Sequence, residues 1–344
     1  MGFPTGRCFF CYRSRRTFQL IFSRVATQVS DATVLSARKR TPALLPISVI
    51  VAARNEEKNL GRCLESLNSV GEIFVVDSFS TDCTAEIARS FAAHVVQFRY
   101  EGGWPKKRQW ALDTLPRNYE WVLLLDADEV LTPELVSEIE TAIRNPNVDG
   151  YYVGLDMYFL SRWLRHCGAS FYKLLLFRRG KGHFECRTSN QDTSMCDMEV
   201  HEHVMVDGPT ARLSERLVHR NVTSLSRYIQ KHDQYSNWEA RVWSGPSGGH
   251  AQLQPAFFGS QAQRRRWLKQ KFFKVPGSSV WLFFYRYVLR LGFLDGVPGL
   301  IYCGFQAIQC FHVKAKLYEA KMAARALSAD RCGPAAVDDT YVRH

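Results

Sequence analysis

Residues 121–129 read WVLLLDADE, an apolar run that ends in acidic side chains. The run is too apolar to be exposed, and its length suits a strand buried on both faces of a sheet. Thr132 and Pro133 follow as a predicted N-cap and first residue of a helix. Asp126 and Asp128 should therefore lie at the carboxyl edge of a sheet, where open α/β sheets bind their ligands.

Two aspartates separated by one residue can hold a divalent cation, because carboxylate oxygens are ligands that Mg²⁺ and Mn²⁺ accept. A cation held by Asp126 and Asp128 could in turn hold a diphosphate. The pattern is short, and a solvated turn with an aspartate capping a helix would have the same sequence. Other parts of the chain have to decide between the two interpretations.

Two stretches upstream repeat the order of strand, polar turn and helix. Residues 47–53 form one apolar run that breaks at residues 54–57 (RNEE), and residues 72–76 form another that breaks at Asp77. This repetition with short connections is typical of a parallel sheet with right-handed crossovers. The polar strand exits should therefore converge on one crevice. The sequence lacks the glycine-rich dinucleotide fingerprint and the P-loop, which argues against a dehydrogenase or a Walker-type NTPase.

Three motifs in this order resemble the family 2 glycosyltransferases, which have a GT-A fold and use nucleotide-diphosphate sugars. They are residues 48–57 (SVIVAARNEE), 76–84 (VDSFSTDCT) and 126–129 (DADE). Three further stretches are most similar to the lipopolysaccharide core β-1,4-glucosyltransferase type, and they are residues 77–82 (DSFSTD), 200–203 (VHEH) and 291–296 (LGFLDG). The resemblance covers roughly residues 46 to 320.

The resemblance implies an α/β fold with a GT-A (Rossmann-like), mostly parallel sheet flanked by helices, plus a C-terminal helical, membrane-associated segment. The expected domain boundaries are a basic, disordered extension at 1–45, a GT-A domain at 46–240, a linker at 241–262, membrane-associated helices at 263–325 and a tail at 326–344.

The resemblance also implies roles for single residues. The candidates for nucleotide-sugar binding are Ala52, Arg54, Glu56, Asp77, Lys107, Arg108 and Asp126, the last on the ribose. Asp128 would bind the metal, Mg or Mn. Members of the family usually carry Gln-Lys-Asn where this chain has Lys107, Arg108 and Gln109. Which of the two cations would bind phosphate therefore stays open. Lys106 could bind phosphate, or it could equally be a solvated residue at the start of a helix.

An inverting transfer by direct displacement needs a general base near the acceptor hydroxyl. Glu202 is the first candidate, and Asp192, Asp197 and Glu199 are the alternatives. On a regular strand His201 and His203 would face the side opposite to Glu202. Either the glutamate or the histidine pair then enters the site, and His203 could complete the metal shell. A purely structural, hydrogen-bonding role is the remaining interpretation.

A further predicted strand, residues 174–179, ends in two cations. Arg178 could bind phosphate there, or it could be an arginine at the rim of the domain.

The chain carries a formal net charge of +12 over 344 residues, which calls for an anionic partner or surface. Residues 1–40 hold eight Lys or Arg against the single acid Asp31. They lack a clean secretory signal and fit a transit peptide, a basic tail or a start codon placed too far upstream. The ten cysteines are scattered, as expected for reduced, cytosolic thiols.

Residues 263–274 mix cations with aromatic side chains, which suits a helix on anionic lipid headgroups or a basic helix packed on the domain. Residues 280–313 are hydrophobic but interrupted by charges and Pro298. We therefore expect interfacial or re-entrant helices and a protein peripheral on the cytoplasmic face of the inner membrane.

The favoured function is a metal-dependent, inverting hexosyltransferase that moves a sugar, with glucose favoured, from a UDP-sugar to a lipopolysaccharide core or related glycolipid. A polyprenyl-phosphate glycosyltransferase of the same fold is the alternative. A basic nucleic-acid-binding protein is a remote third, because no recognisable RNA-binding module is present, so we expect no nucleic-acid partner.

Overall fold

The computed structural model describes residues 44–187, 191–199, 203–220, 224–244, 255–259 and 261–331. Glu202 lies outside these ranges, as do residues 1–43 of the expected N-terminal extension, half of the linker and most of the tail. The domain boundaries drawn there stay predictions.

The first half of the chain forms the parallel part of a nine-stranded sheet. Its strands are β1 (Leu45–Ala53), β2 (Val70–Asp77), β3 (His94–Gln97) and β4 (Trp121–Asp126), in the order β3-β2-β1-β4. Between them run helices α1 (Leu60–Glu65), α2 (Thr84–Ser90) and α3 (Lys107–Thr114). These alternating units confirm the strand, turn and helix pattern of the sequence.

Apolar burial on both faces holds this part together. Side chains of β1 and β4 are almost fully buried, and α1 adds Leu60, Cys63 and Leu64 to the same core. A fully buried Leu or Ile side chain stabilises the fold by roughly 1.5–3 kcal/mol relative to an exposed one. The near-continuous apolar run of β4 is therefore explained by its place in the middle of the sheet.

The second half of the sheet is mixed. After β5 (Glu129–Val130) and α4 (Pro133–Ala142) come β6 (Gly150–Phe159), β7 (Arg162–Trp163), β8 (Phe171–Arg178) and β11 (Thr210–Arg220). The order continues β4-β8-β6-β11-β5, and β8 runs antiparallel to both β4 and β6. A separate two-stranded sheet pairs β9 (Gly182–Phe184) with β10 (Val204–Val206). Parallel pairing thus holds for the first four strands and for β6 with β11, whereas the other pairs of this sheet are antiparallel.

Two local predictions can be checked directly. The Thr132 side chain accepts a hydrogen bond from the amide of Leu135, and Pro133 begins α4, so the predicted N-cap is confirmed. Arg178, in contrast, pairs with Trp121 at the start of β4, because β8 is antiparallel to it. It binds Glu120 and Asp149 there, at the edge opposite to Asp126. A phosphate-binding role at the strand exits is therefore wrong for Arg178.

The C-terminal third is helical. Its elements are α5 (Leu225–Ser244), α6 (Gln261–Lys274), α7 (Ser278–Phe284), a π-helical turn (Tyr285–Leu289), a 3-10 turn (Gly292–Asp295) and α8 (Gly296–Arg331). A second apolar cluster joins this region to the sheet through Phe159, Cys167, Tyr302 and Cys303. In the part of the chain that the structure describes, no single helix is long and apolar enough to cross a membrane; one pair, Ser278–Leu289 with Gly292–Ala326, passes the same test together but is bent by 72°.

Candidate active site

A cavity of about 1410 Å³ opens at the carboxyl edge of the parallel strands. The strand registers bring the exits together, because Ala53 pairs with Asp77 and Ala52 pairs with Asp126. The cavity is lined by most of the residues that the sequence singled out, namely Ala52, Arg54, Glu56, Lys107, Arg108, Asp126, Asp128 and His203. The predicted convergence on one crevice is therefore present for the exits of β1 and β4.

Asp126, Asp128 and His219 form a group with the chemistry of a metal site. One ligand atom from each lies within 4.8 Å of the other two. Ligands of a single Mg²⁺ sit about 3–4 Å apart, since each bond is about 2.1 Å long, so small side-chain rotations would bring all three into range. The Nδ1 atom of His219 is buried, makes no hydrogen bond of normal geometry with the described residues, and lies 3.5 Å from both Asp128 Oδ1 and Glu129 Oε1. A buried nitrogen left in this way fits a metal ligand.

Glu129 and Lys173 surround this group. Glu129 is buried; its carboxylate accepts a hydrogen bond from the Asp126 amide and pairs with Lys173 at 3.3 Å. Burial raises the pKa of Glu129, but Lys173 and His219 outweigh it and hold that pKa below its ordinary value. Burial lowers the pKa of His219, whereas Asp128 and Glu129 raise it, with a net upward shift. Asp128 and Glu129 thus concentrate negative charge around the His219 ring, as a site for a bound cation requires.

Arg108 contacts the metal group directly, because its guanidinium forms an ion pair with Asp126. Its position depends on Glu199, whose buried carboxylate accepts hydrogen bonds from the amides of Arg108 and Gln109 at the start of α3. Burial raises the pKa of Glu199, although Arg108 and the Gln109 amide act against this. Glu199 therefore holds the start of α3 in place. Its carboxylate, one of the alternative candidates for the general base, is engaged in these two hydrogen bonds.

Lys107 and Lys106 are both buried, so the prediction of a solvated helix start is wrong for Lys106. Lys107 Nζ lies 2.9 Å from Asp197 Oδ2 and donates to the Ala53 carbonyl at 2.9 Å. Lys106 Nζ donates to the Met198 carbonyl and faces the Trp238 ring. These contacts connect the start of α3 to the segment around residue 197. The carboxylate of Asp197, another alternative candidate for the general base, is paired with Lys107.

The first strand exit is held from the other side by α5. Glu56 is buried and pairs with Lys231 at 3.2 Å and Arg227 at 3.4 Å. Arg227 also donates to the carbonyls of Arg54 and Asn55. The backbone that would face a nucleotide is thereby fixed to the C-terminal helices.

Asp77 does not line the cavity. Its carboxylate accepts hydrogen bonds from Ser80 and Gln97, which close the turn after β2. His203 does line it, but it is not part of the metal group; its carbonyl accepts from the Glu185 amide. Burial, followed by the charge of Arg266, lowers the pKa of His203 to about 4. The roles assigned to Asp77, His203 and Glu202 stay predictions.

Sequence reasoning missed His219, Glu129 and Lys173. His219 follows the buried Leu217 near the end of β11, and β11 pairs with β5 so that His219 lies opposite Glu129. β11 carries mostly polar side chains, so no apolar run marked His219 as a residue at a strand exit. Lys173 carried no comparable signal, because it lies inside β8.

The glycosyl transferase family 2 model matches residues 48–202. Among curated proteins, the lipopolysaccharide core biosynthesis glycosyltransferase LpsC of Rhizobium meliloti is 28% identical over 295 residues, which are 80% of this chain and 93% of that protein. An uncharacterized glycosyltransferase of Rickettsia conorii is 28% identical over 261 residues, 74% of this chain and 83% of that protein.

Among solved structures, the mannosyltransferase PcManGT from Pyrobaculum calidifontis, in complex with GDP-Man and Mn²⁺, is 15% identical with a TM-score of 0.43. That match covers 79% of this chain and 87% of the other. The sheet flanked by helices and the family match confirm the predicted GT-A architecture. Residues 48–202 thus match the glycosyl transferase family 2 model, and the chain is similar over most of its length to a lipopolysaccharide core glycosyltransferase.

Proposed function

We propose that this protein is a metal-dependent, inverting hexosyltransferase that moves a sugar from a nucleotide-diphosphate donor to a lipopolysaccharide core or related glycolipid acceptor. The observation that carries the proposal is the group Asp126, Asp128 and His219 at the edge of the large cavity. The similarity to LpsC supports the acceptor class. Glucose and UDP are favoured on the resemblance of the sequence motifs.

In this proposal, different residues of the site bind the metal, the ribose and the diphosphate of the donor. Asp128 and His219 would hold Mg²⁺ or Mn²⁺, with Asp126 shared between the metal and the ribose. Such a cation, when bound, neutralises charge on the departing diphosphate. Arg108 now balances Asp126, and its planar guanidinium suits the diphosphate in a bidentate way.

The general base in this proposal is Glu202. Its described neighbours Glu199 and His203 both line the cavity. Glu199 and Asp197 are bound to α3, through the Arg108 and Gln109 amides and through Lys107 respectively. Asp192 is paired with Arg241 and hydrogen-bonded to Ser194. These contacts favour Glu202 over the three alternative bases.

The membrane part of the proposal concerns residues 280–297. Trp281, Phe284, Leu289, Leu294 and Val297 each expose between 50% and 73% of their surface. Exposed apolar side chains in this density mark an interaction surface. With the exposed cations Lys271 and Lys274 nearby in sequence, the segment would lie on the anionic cytoplasmic face of the inner membrane.

The test of the catalytic proposal compares purified parent protein with Asp128→Asn and Glu202→Gln. We expect the parent to turn over a UDP-sugar only with Mn²⁺ or Mg²⁺, and Asp128→Asn to lose about a hundredfold or more in turnover. Glu202→Gln should abolish transfer to glycolipid while donor binding persists.

Asp233→Asn is the matched control, because Asp233 is exposed and pairs with Lys316 away from the cavity; it should behave like the parent. The proposal is wrong if no nucleotide sugar is turned over, or if Asp128→Asn equals this control.

A further inference from the structure

The cavity has a second wall made by the C-terminal helices. Arg286 and Arg290, from the π-helical turn and its end, line the same cavity as the metal group. The loop at Cys167 and Gly168 faces them. None of these residues belongs to the motifs that bind the donor.

The two guanidinium groups converge on one point. A Cβ added at Gly168 would lie 3.7 Å from Arg286 Nη1 and 3.8 Å from Arg290 Cζ. Arg286 Nη1 donates to the carbonyls of Cys167 at 2.9 Å and Gly168 at 3.4 Å. Arg286 is half-buried and Arg290 exposed, and because like charges held side by side repel each other, an anion bound between the two guanidinium groups would be stabilised by both.

No carboxylate in the described part of the chain provides that balance. The one acid of the adjacent 3-10 turn, Asp295, is buried and accepts hydrogen bonds from the His166 amide at 3.0 Å and from its ring. Neither Arg286 nor Arg290 has an ion pair with a described residue, whereas Arg216, Arg227 and Arg266 each have one.

The same wall holds another polar group without a partner. Both amide atoms of Gln309 on α8 are buried and lack hydrogen bonds to the described residues, and Gln309 lines the cavity. The Nε atom of Arg286 is likewise buried and has no hydrogen bond to a described residue. Buried polar atoms normally have partners, and sugar hydroxyls beside an anionic group would supply them.

We propose that Arg286 and Arg290, with Gln309, form the acceptor subsite and bind an anionic phosphate group carried by the glycolipid acceptor. This rests on the proposed function and narrows its acceptor to a phosphorylated one. The subsite adjoins the exposed apolar segment at Trp281 and Leu289, so a lipid-borne sugar can reach the cavity while its acyl chains stay in the membrane. Bilayer phospholipid has the same phosphate chemistry, but it carries no sugar hydroxyls for Gln309.

The experiment combines two changes, removal of the phosphate from the acceptor and substitution of one arginine in the protein. Transfer kinetics are measured with a detergent-solubilised lipopolysaccharide core glycolipid that carries phosphate and with the same glycolipid after phosphatase treatment. Each is given to the parent, to Arg290→Gln and to Arg286→Lys, which keeps the charge but loses the bidentate geometry. Arg264→Gln is the matched control, an exposed arginine on α6 outside the cavity.

In the parent we expect phosphate removal to raise KM for the acceptor by roughly tenfold to a hundredfold, the range for charged hydrogen bonds, with kcat little changed. Arg290→Gln should show the same high KM with either acceptor, because the two changes remove one interaction. Arg286→Lys should show an intermediate ratio, and Arg264→Gln should retain the full ratio.

The subsite is wrong if Arg290→Gln keeps the parent's KM ratio. It is also wrong if Arg290→Gln loses binding to phosphatidylglycerol vesicles while the acceptor ratio is unchanged, because the headgroup is then the ligand. Acceptor binding by calorimetry and donor hydrolysis without acceptor are measured in parallel. Absence of both hydrolysis and transfer of the donor sugar in the parent would refute the proposed function, whereas phosphate-dependent acceptor binding tests the subsite by itself.

Discussion

At the scale of single residues, the pair of Lys107 and Asp197 is the clearest case of a charge that the fold needs. Both side chains are almost fully buried, at 1% and 8% exposed. We expect Asp197→Asn to lower the free energy of unfolding by about 3–5 kcal/mol, because it leaves a buried ammonium without its partner. Urea denaturation measures this. The surface pair of Arg144 and Glu140 offers a control, since Arg144→Ala should change stability by less than about 0.5 kcal/mol.

The pH dependence of the same variant gives a second readout. Burial raises the pKa of Asp197, but Lys107 and Ser78 outweigh it, so the pKa in the folded state lies below the ordinary 3.8. The pair therefore stabilises the fold fully above the unfolded-state pKa and ceases to do so as pH falls through the folded-state pKa. The stability difference between parent and Asp197→Asn should be constant near neutral pH and shrink below pH 3.8. A difference that grew on acidification would contradict this assignment.

Site residues could be predicted from the sequence only where the pattern that marks them lies close to them along the chain. Asp126 and Asp128 were predictable because a short apolar run and its polar exit lie next to each other in sequence. His219 was not, because its proximity to them is created by the pairing of β11 with β5, which no local pattern encodes. The burial of Lys106 and Lys107 was also hidden, since their partners, the Met198 carbonyl and Asp197, come from a distant loop.

At the scale of elements, α6 shows how a basic stretch can mislead. The helix itself was predicted, and Arg264, Lys271 and Lys274 are exposed as a lipid-facing helix requires. Arg266 is different, because it is buried and forms two hydrogen bonds with Glu185, at 2.7 and 2.5 Å. The sequence of alternating cations and aromatics does not indicate which cation faces inward. This bidentate pair joins α6 to the end of β9.

We expect Arg266→Leu to weaken the fold by about 3–5 kcal/mol, since it removes both hydrogen bonds that the buried Glu185 carboxylate accepts from the guanidinium. Thermal unfolding followed by circular dichroism measures the loss. Arg264→Leu, the neighbouring exposed position, is the control and should stay within about 0.5 kcal/mol of the parent. The double variant Arg266→Leu, Glu185→Leu should recover most of the loss. If it does not, or if Arg266→Leu matches the control, the pair does not anchor α6.

At the scale of the whole molecule, the parallel half of the sheet could be predicted and the mixed half could not. Strand, turn and helix repeat regularly up to β4, and each repeat predicts its neighbour. Beyond it, β8 and β11 insert by pairing with strands far away in sequence, and the sequence of neither strand indicates whether it runs parallel or antiparallel to its neighbours. The family resemblance gave the architecture, whereas the residue patterns gave the location of the cavity at the strand exits.

The placement of the C-terminal segment on a membrane is the remaining prediction at this scale. Trp281 and Leu289 are 62% and 73% exposed, and burying each in the acyl boundary is worth about 1.5–3 kcal/mol. The double variant Trp281→Ser, Leu289→Ser should therefore bind vesicles of phosphatidylglycerol and phosphatidylcholine at least tenfold more weakly, as measured by sedimentation. Phe91→Ser, at an exposed apolar position after α2, should bind as the parent does.

Salt separates the two parts of this interaction. Raised ionic strength should weaken binding of the parent, since exposed cations are screened beyond about 10 Å at 0.1 M, but it should leave an apolar contribution that the double variant lacks. Equal binding of the double variant and Phe91→Ser would show that the exposed segment faces something other than lipid. In that case the helices from Ser278 onward would have to contact another protein surface, because apolar side chains this exposed need a partner that removes them from water.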